Sequence, residues 1–329
     1  MAAFETVQFR NFTKPTHIVM GPGGSKGFYF IGALHQLYVT GMLTEVIGYS
    51  GSSVGAMLSL LMTCGYKPSQ INRMAVETNL FADFFTVKLG QRIEEMRKHC
   101  GIIGNTVIRN KLETAVIKKF GSVLTMKQLY DRTGILFQAV TFDIQSNTPY
   151  YINHINFPDL NVVQAVLFSI NIPLLFYRLI YGQHEFIDGA FCDPLPIFPF
   201  DDGRNKVLTL YINTQMPPPS IGSLVPGISY GIHKMLTTGI HQYRDTIIAF
   251  ASQKCDFIEL TSSIIDTTGA TLKEKDKVKM FMEGLGIIQH YLQMPVRPDE
   301  DESDTGFNSI KFQLIKSLHK NRIIIFSST

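Results

Sequence analysis

The beginning of the chain repeats one arrangement, a short apolar strand followed by a glycine-rich turn and an apolar helix. In the first copy the strand covers residues 16–20 and the glycine-rich segment covers 21–27; in the second, the strand covers 46–50 and the glycine-rich turn covers 51–55. The second helix ends at Gly65. Consecutive units of this kind favour parallel strands with helices on both faces. We therefore expect an α/β fold, a three-layer α/β/α sandwich with a mainly parallel central sheet.

The rest of the chain extends this pattern. Residues 135–143 and 148–154 read as two strands around a polar turn, and residues 206–213 give the most continuous strand signal. After residue 216 the pattern is helical as far as about residue 294. The predicted division is an N-terminal extension at 1–13, a core at 14–213, a helical region packed on the core at 214–295, and an acidic linker with a basic tail at 296–329.

The composition is that of a globular protein. Of the 329 residues, 45% are hydrophobic and 17% are charged, and the formal net charge is +3. A protein that binds nucleic acid needs a face dense in lysine and arginine, so this small charge argues against nucleic acid as a partner. The four cysteines are far apart and include no C-x-x-C pair, which fits neither a disulfide framework nor a zinc site.

The sequence shows neither a secretion signal nor a membrane span. The most apolar windows, near 27–39 and 54–64, are interrupted by polar residues such as His35 and Ser59. Neither window reaches the roughly 20 residues that cross a bilayer, and the N-terminal segment lacks the apolar stretch of a signal peptide. We expect a cytoplasmic protein that contacts membranes at most peripherally.

The second glycine-rich turn matches the pattern G-x-S-x-G at residues 51–55, between a strand and a helix. A serine on such a tight turn is forced toward sparsely populated backbone angles, and the flanking Gly51 and Gly55 leave room for the turn. Its hydroxyl then stands clear of the sheet, near the positive end of the helix dipole. We predict that Ser53 is a nucleophile; the alternative is that Ser52 or Ser53 caps the helix.

The first glycine-rich segment, GPGGSKG at residues 21–27, occupies the corresponding loop of the first unit. Consecutive glycines allow several backbone N–H groups to converge on one anionic oxygen, which makes the loop a candidate oxyanion hole. Nucleotide binding is the rival interpretation, but neither the phosphate-loop pattern nor G-x-G-x-x-G is matched. Lys26 either lies at the surface or steadies the loop and a lipid phosphate.

An Asp-Gly pair follows a short apolar strand at Asp188 and Gly189. Such a pair is common in turns and is weak evidence by itself. A carboxylate with an unperturbed pKa of about 3.9 is a poor base in water, but in a desolvated cleft its basicity rises. An aspartate in contact with a serine hydroxyl can then accept its proton without an intervening imidazole.

The three motifs, in this order, resemble those of the patatin-like phospholipases over roughly residues 14–213. The stretch SINIPLLF at 169–176 is also similar to the family's sequence before its aspartate strand. One departure is Pro22, which stands at the first glycine of the family's loop and has no N–H. The resemblance implies that Ser53 is the nucleophile, that Asp188 is the base of a two-residue dyad, that the backbone of Gly23, Gly24 and Ser25 forms the oxyanion hole, and that Lys26, Gly27, Gly51, Gly55 and Gly189 support these motifs.

The function that this resemblance implies is hydrolysis of fatty-acyl esters in lipids, of the phospholipase A type, without metal or cofactor. The substrate would be a phospholipid or another acyl lipid at a membrane surface, and a homodimer is left open. Candidate membrane contacts are 80–85 and 309–322, with packing against the protein as the competing interpretation.

Three rival hypotheses fit the same residues. An esterase, thioesterase or neutral-lipid lipase could use the same dyad, because the motifs position the chemistry without naming the acyl group. A non-catalytic lipid-binding protein could keep the fold. A serine-histidine-aspartate triad could use His184, His233, His241 or His290, although none of these histidines lies in a recognisable motif.

Overall fold

The computed structural model describes residues 13–77, 89–213, 224–262 and 272–293. The strands in these ranges are β1 His17–Met20, β2 Gly48–Ser52, β3 Gly101–Ile103, β4 Leu136–Asp143, β5 Thr148–Ile152, β6 Leu174–Phe176, β7 Leu179–Tyr181, β8 His184–Asp188, β9 Val207–Asn213 and β10 Cys255–Thr261. Eight of these described strands form one sheet in the order β10-β9-β1-β2-β4-β8-β7, with β5 paired to β4. β10, β9, β1, β2 and β4 run parallel, so the predicted mainly parallel sheet is confirmed.

Helices cover both faces of this sheet. Because successive residues of a strand point to opposite faces, β1 contributes Ile18 and Met20 to one core and Val19 to another. The helices are α1 Gly27–Val39, α2 Val54–Thr63, α3 Pro68–Glu77, α4 Leu89–His99, α5 Thr106–Phe120, α6 Met126–Thr133, α7 Val162–Ser169, α8 Leu224–Phe250 and α9 Glu274–Gln293. The first core includes residues of α1, α2 and α7, and the second includes Ile247 of α8.

The pairing of β4 brings the ends of two other strands together. One edge of β4 pairs with β5 along residues 139–143. The opposite edge is shared: β2 occupies it as far as Val140, which pairs with Ser52, and β8 continues it from Thr141, which pairs with Asp188. Since β8 runs antiparallel to β4 and β2 runs parallel to it, the carboxyl ends of β2 and β8 meet head to head.

The region after residue 216 differs from the sequence-based expectation of continuous helix. Cys255–Thr261 forms β10, which pairs with β9 along its whole length, from Cys255 beside Val207 to Thr261 beside Asn213. A short apolar run between two helical patterns has no distinctive period, and here pairing with a buried strand decides its structure.

Helix α9 packs closely on α1. A Cβ added at Gly32 would lie 1.9 Å from the Phe281 carbonyl oxygen, so the two helices approach each other at a glycine. The Tyr29 hydroxyl also donates to Glu283 Oε2 at 2.6 Å. The described part of this region therefore contributes an edge strand and a packing layer.

Among the helices in the described ranges, none combines the length and hydropathy needed to cross a bilayer. The candidate membrane segments at 80–85 and 309–322 lie outside the described residues. Residues 1–12 of the extension predicted at 1–13, and the linker and tail predicted at 296–329, also lie outside the described residues. The domain division stays a prediction.

Candidate active site

Ser53 lies on the turn between β2 and α2. Its backbone has φ 56° and ψ −130°, a region that residues with a side chain rarely adopt, and the residue is 5% exposed. Such a conformation costs about 1–3 kcal/mol and persists only where the surrounding structure enforces it. The turn therefore has the strained geometry that the G-x-S-x-G pattern predicts.

The two glycines of the pattern lie where a side chain would collide with backbone. A Cβ at Gly55 would lie 2.1 Å from the Met20 carbonyl oxygen, and one at Gly51 would lie 2.4 Å from the carbonyl carbon of Gly55. The glycines thus allow the first turn of α2 to pack directly on the ends of β1 and β2.

The hypothesis that a serine merely caps α2 is wrong. Ser53 stands at the N-cap position, but its side chain makes no capping hydrogen bond. The neighbouring Ser52 hydroxyl donates to the Pro194 carbonyl oxygen at 3.1 Å instead. The Ser53 hydroxyl is therefore available to another partner.

The candidate partner is the carboxyl group of Asp188, the last residue of β8. The strand pairing sets Ser52 and Asp188 against consecutive residues of β4, and the Ser53 side chain acts on the Asp188 carboxyl group as a hydrogen-bond partner that lowers its pKa. The Ala190 amide donates to Asp188 Oδ1 at 2.8 Å. The Asp188 residue is 2% exposed. Burial raises the pKa of its carboxyl group to about 7, against the opposing effect of these two hydrogen bonds. At neutral pH this aspartate is a far better proton acceptor than an aspartate in water.

Gly189 sets the path of the chain immediately after the aspartate. A Cβ there would lie 2.1 Å from the Val140 carbonyl oxygen. The glycine therefore lets the turn lie against β4 at the point where β2 ends.

The Cys192 thiol lies near the two aspartates. Burial and the charges of Asp193 and Asp188 raise its pKa, so the thiol is neutral at physiological pH.

The structure does not favour the rival hypothesis of a serine-histidine-aspartate triad. His184 lies at the opposite end of β8 from Asp188, and its Nδ1 is 2.7 Å from Asp143 Oδ2. His290 lies in a groove between β10 and α9, His241 is on α8, and the side chain of His233 lies outside the described residues. The Ser53 side chain acts instead on the pKa of the Asp188 carboxyl group.

The glycine-rich loop follows β1 and lies beside Ser53. Its Gly21 amide donates to the Leu210 carbonyl oxygen at 3.0 Å, which anchors the loop to β9. A Cβ at Gly23 would lie 3.4 Å from Val54 Cγ1, so the loop packs against the residue that follows Ser53. The turn Gly24–Lys26 then leads into Gly27, the first residue of α1.

Lys26 is 1% exposed, and Ser25 is buried as well. The interpretation of Lys26 as a surface residue is therefore wrong. Its backbone amide donates to the Gly23 carbonyl oxygen at 3.0 Å, which closes the turn at the end of the loop.

Sequence reasoning missed the segment that holds Ser53 and Asp188 together. The Ser53 amide donates to Ser169 Oγ at 3.1 Å. Two residues later, the Asn171 carbonyl oxygen accepts from the Asp188 amide at 2.9 Å, and Asn171 Nδ2 donates to the Phe186 carbonyl oxygen at 2.7 Å. The available signal was the SINIPLLF stretch, which resembles the family's sequence but gives no residue in it a role.

A second buried aspartate was also missed. Asp193 is 1% exposed and accepts a hydrogen bond from the Tyr151 hydroxyl at 2.7 Å. Burial raises the pKa of its carboxyl group to about 7 as well. Its amide donates to the Gly189 carbonyl oxygen at 2.9 Å, so it lies one turn beyond Asp188.

Comparison with known proteins agrees with this fold and these motifs. The family model described as patatin-like phospholipase matches residues 18–201, more than half of the chain. The chain belongs to the patatin-like phospholipase family, and the resemblance seen in its motifs is confirmed.

The relatives that match in sequence include one viral and one yeast protein. The chain is 24% identical over 182 residues to "Probable lipid hydrolase 463L" of Invertebrate iridescent virus 6, which covers 55% of this chain and 61% of the viral protein. It is 29% identical over 167 residues to "Triacylglycerol lipase 4" of Saccharomyces cerevisiae, which covers 49% of this chain and 18% of the yeast protein. The chain thus matches less than two thirds of the length of each of these relatives.

Solved structures that share the fold include VipD. VipD from Legionella pneumophila superposes with a TM-score of 0.53 and 14% sequence identity, over 94% of this chain and 76% of VipD. At that identity, the comparison supports the fold alone.

Proposed function

We propose that this chain is a lipid acyl hydrolase in which Ser53 is the nucleophile and Asp188 is its base. The observation that carries the proposal is that β2 and β8 bring Ser53 and the buried Asp188 carboxyl group together at one edge of β4. Two features support it: the strained backbone at position 53 and the pKa of about 7 at position 188. A carboxylate with that pKa can accept a proton near neutral pH and return it later in the reaction.

The reaction proceeds by acyl transfer. Asp188 takes the hydroxyl proton while Ser53 Oγ attacks the ester carbonyl carbon. The tetrahedral intermediate then expels the alcohol portion of the lipid, which receives the proton from Asp188. Asp188 next takes a proton from a water molecule, which attacks the carbonyl carbon of the acyl-serine. The bond to Ser53 Oγ then breaks, Asp188 returns the proton to that oxygen, and the fatty acid is released.

The negative oxygen of the intermediate needs donors that are already in place. We assign this role to the backbone amides of Gly23, Gly24 and Ser25, aided by the first turn of α2, because the glycine loop packs on Val54 beside Ser53. Pro22 supplies no donor. The oxyanion hole therefore depends on the amides that follow it.

The substrate class follows from the relatives. The names of the viral and yeast proteins are those of a lipid hydrolase and a triacylglycerol lipase, and the family is described by phospholipase activity. We propose a phospholipid at a membrane surface as the first substrate and a neutral glyceride as the second. A non-catalytic lipid-binding protein is disfavoured, because binding alone needs neither a strained serine nor a carboxylate in contact with it.

The test is release of fatty acid from phospholipid vesicles, triacylglycerol emulsions and an acyl thioester. We expect wild-type protein to release fatty acid from phospholipid, and Ser53→Ala to release none. Ser59→Ala is the matched control, since Ser59 is another buried serine on α2 and its hydroxyl has no hydrogen-bond partner among the described residues. Full activity of folded Ser53→Ala would overturn the proposal, and activity confined to triacylglycerol would favour the neutral-lipid hypothesis.

A further inference from the structure

The carboxyl end of α7 touches both strand ends that carry the proposed dyad. Ser169, the last residue of α7, is fully buried, and its Oγ accepts the hydrogen bond from the Ser53 amide. The Phe168 carbonyl oxygen accepts from Thr141 Oγ1 at 3.2 Å, and the same hydroxyl lies 2.7 Å from the Ile187 carbonyl oxygen. Because the Asn171 carbonyl oxygen accepts from the Asp188 amide, the segment 168–171 contacts β4, the end of β8 and the residue that follows β2, where these strands meet.

The Ser53 amide is a buried N–H group in a strained turn, so it needs a hydrogen-bond partner. It belongs to a buried residue with φ 56°, at the point where β2 has ended and α2 has not begun. A buried N–H without a partner destabilises the fold, and the strained backbone adds to that cost. The Ser169 hydroxyl satisfies this N–H in the strained geometry and would lose the contact if the turn relaxed.

We propose that Ser169 is a positioning residue that holds Ser53 in its strained conformation by accepting the hydrogen bond from the Ser53 amide. This inference rests on the proposed function. It has a consequence for the oxyanion hole. Because the Ser53 amide is directed at Ser169 Oγ, that amide does not serve the oxyanion, and the donors come from the glycine loop and the first turn of α2.

The test compares Ser169→Ala with Ser169→Thr, which keeps an acceptor oxygen. Rates of fatty-acid release are divided by the amount of protein that reacts with a fluorophosphonate probe, so that misfolded protein does not count. We expect Ser169→Ala to lower kcat about 10- to 100-fold, the size expected for leaving a buried amide unpaired, with KM unchanged. Ser169→Thr should recover most of the loss, and the control Ser59→Ala should match wild type.

The pH profile separates positioning from simple destabilisation. If Ser53 moves, Asp188 loses the hydrogen bond that lowers its pKa. The acid limb of kcat in Ser169→Ala should then shift to higher pH, whereas a merely less stable protein would keep the wild-type midpoint. Wild-type kcat per reactive site and an unshifted midpoint in Ser169→Ala would overturn the inference.

A further variant covers the case in which Ser169→Ala does not fold. In Ser169→Cys the new side chain is similar in size to serine, but its sulfur is a weak acceptor. This variant should lower kcat by less than Ser169→Ala does, and wild-type kcat in it would overturn the inference. Absence of hydrolysis and of probe labelling in wild-type protein would count against the proposed function itself.

Discussion

Two aspartates one turn apart, Asp188 and Asp193, are buried to the same degree and have the same raised pKa of about 7. They differ in the hydroxyl that each one contacts. Asp188 faces the serine of a strained turn, whereas Asp193 faces the phenol of Tyr151 on β5. A raised pKa therefore does not identify a catalytic base by itself. The partner and the backbone that presents it make the distinction.

The largest expected difference between the two is in turnover. Asp188→Asn keeps the shape of the side chain but removes its basicity, so fatty-acid release should fall about 100- to 10,000-fold. Asp193→Asn should keep most of the wild-type rate, because the amide oxygen can still accept from Tyr151. The measurement is the rate per folded protein, with circular dichroism as the control for folding. Equal losses in the two variants would remove the distinction.

The next effect is on the pH dependence of turnover. The base must be ionised, and burial raises the pKa of Asp188 from 3.8 to about 7. Activity should therefore rise as pH increases through about 7 and fall about tenfold per pH unit below it. Asp193→Asn should leave this midpoint in place. A wild-type midpoint near the ordinary aspartate value, or a midpoint that moves in Asp193→Asn, would contradict the assignment.

A smaller effect, on the free energy of unfolding, is expected from changing Tyr151, the partner of Asp193. Tyr151→Phe removes the hydroxyl that donates to this buried carboxylate at 2.7 Å, which should lower the free energy of unfolding by about 1–3 kcal/mol. Fatty-acid turnover of the folded protein should stay unchanged. Urea unfolding monitors the first quantity, with Tyr130→Phe as a more exposed control. A selective loss of turnover would assign Asp193 and Tyr151 to the reaction.

The smallest effect is on how thermal stability depends on pH. Both carboxyl groups have a folded-state pKa above the unfolded value of 3.8. Each therefore contributes stability that is fully present below pH 3.8 and is lost as pH rises through about 7. Asn at either position should reduce the fall in Tm between acidic and mildly alkaline pH by a few degrees, similarly for both. A clearly larger effect at one site would show that the two carboxyl groups are not equally buried in solution.

The same contrast explains what the sequence can and cannot predict. Ser53, its flanking glycines and the parallel strands follow from local patterns of strand, turn and helix. The Asp-Gly pair at the end of a strand indicates Asp188 only weakly, and the order of the three family motifs is what singles it out. Its contact with Ser53 depends on β2 and β8 sharing one edge of β4, a pairing that no local pattern specifies.

The supporting contacts are beyond local reasoning. Ser169 is separated from Ser53 by 116 positions in the chain, and nothing in an isolated Ser at a helix end shows which amide it will meet. The burial of Lys26 is missed because nothing in the sequence around it shows whether its side chain is buried or exposed. β10 is missed because seven residues between two helical patterns are too few to show a period of their own.

The most direct test of the central claim is the site and rate of fluorophosphonate labelling. Mass spectrometry of wild-type protein should locate the adduct on Ser53, and the labelling rate should rise as pH increases through about 7. In Asp188→Asn the adduct should form far more slowly at every pH, while Asp193→Asn should label at close to the wild-type rate. An adduct on another residue, or unchanged labelling of Ser53 in Asp188→Asn, would contradict the account.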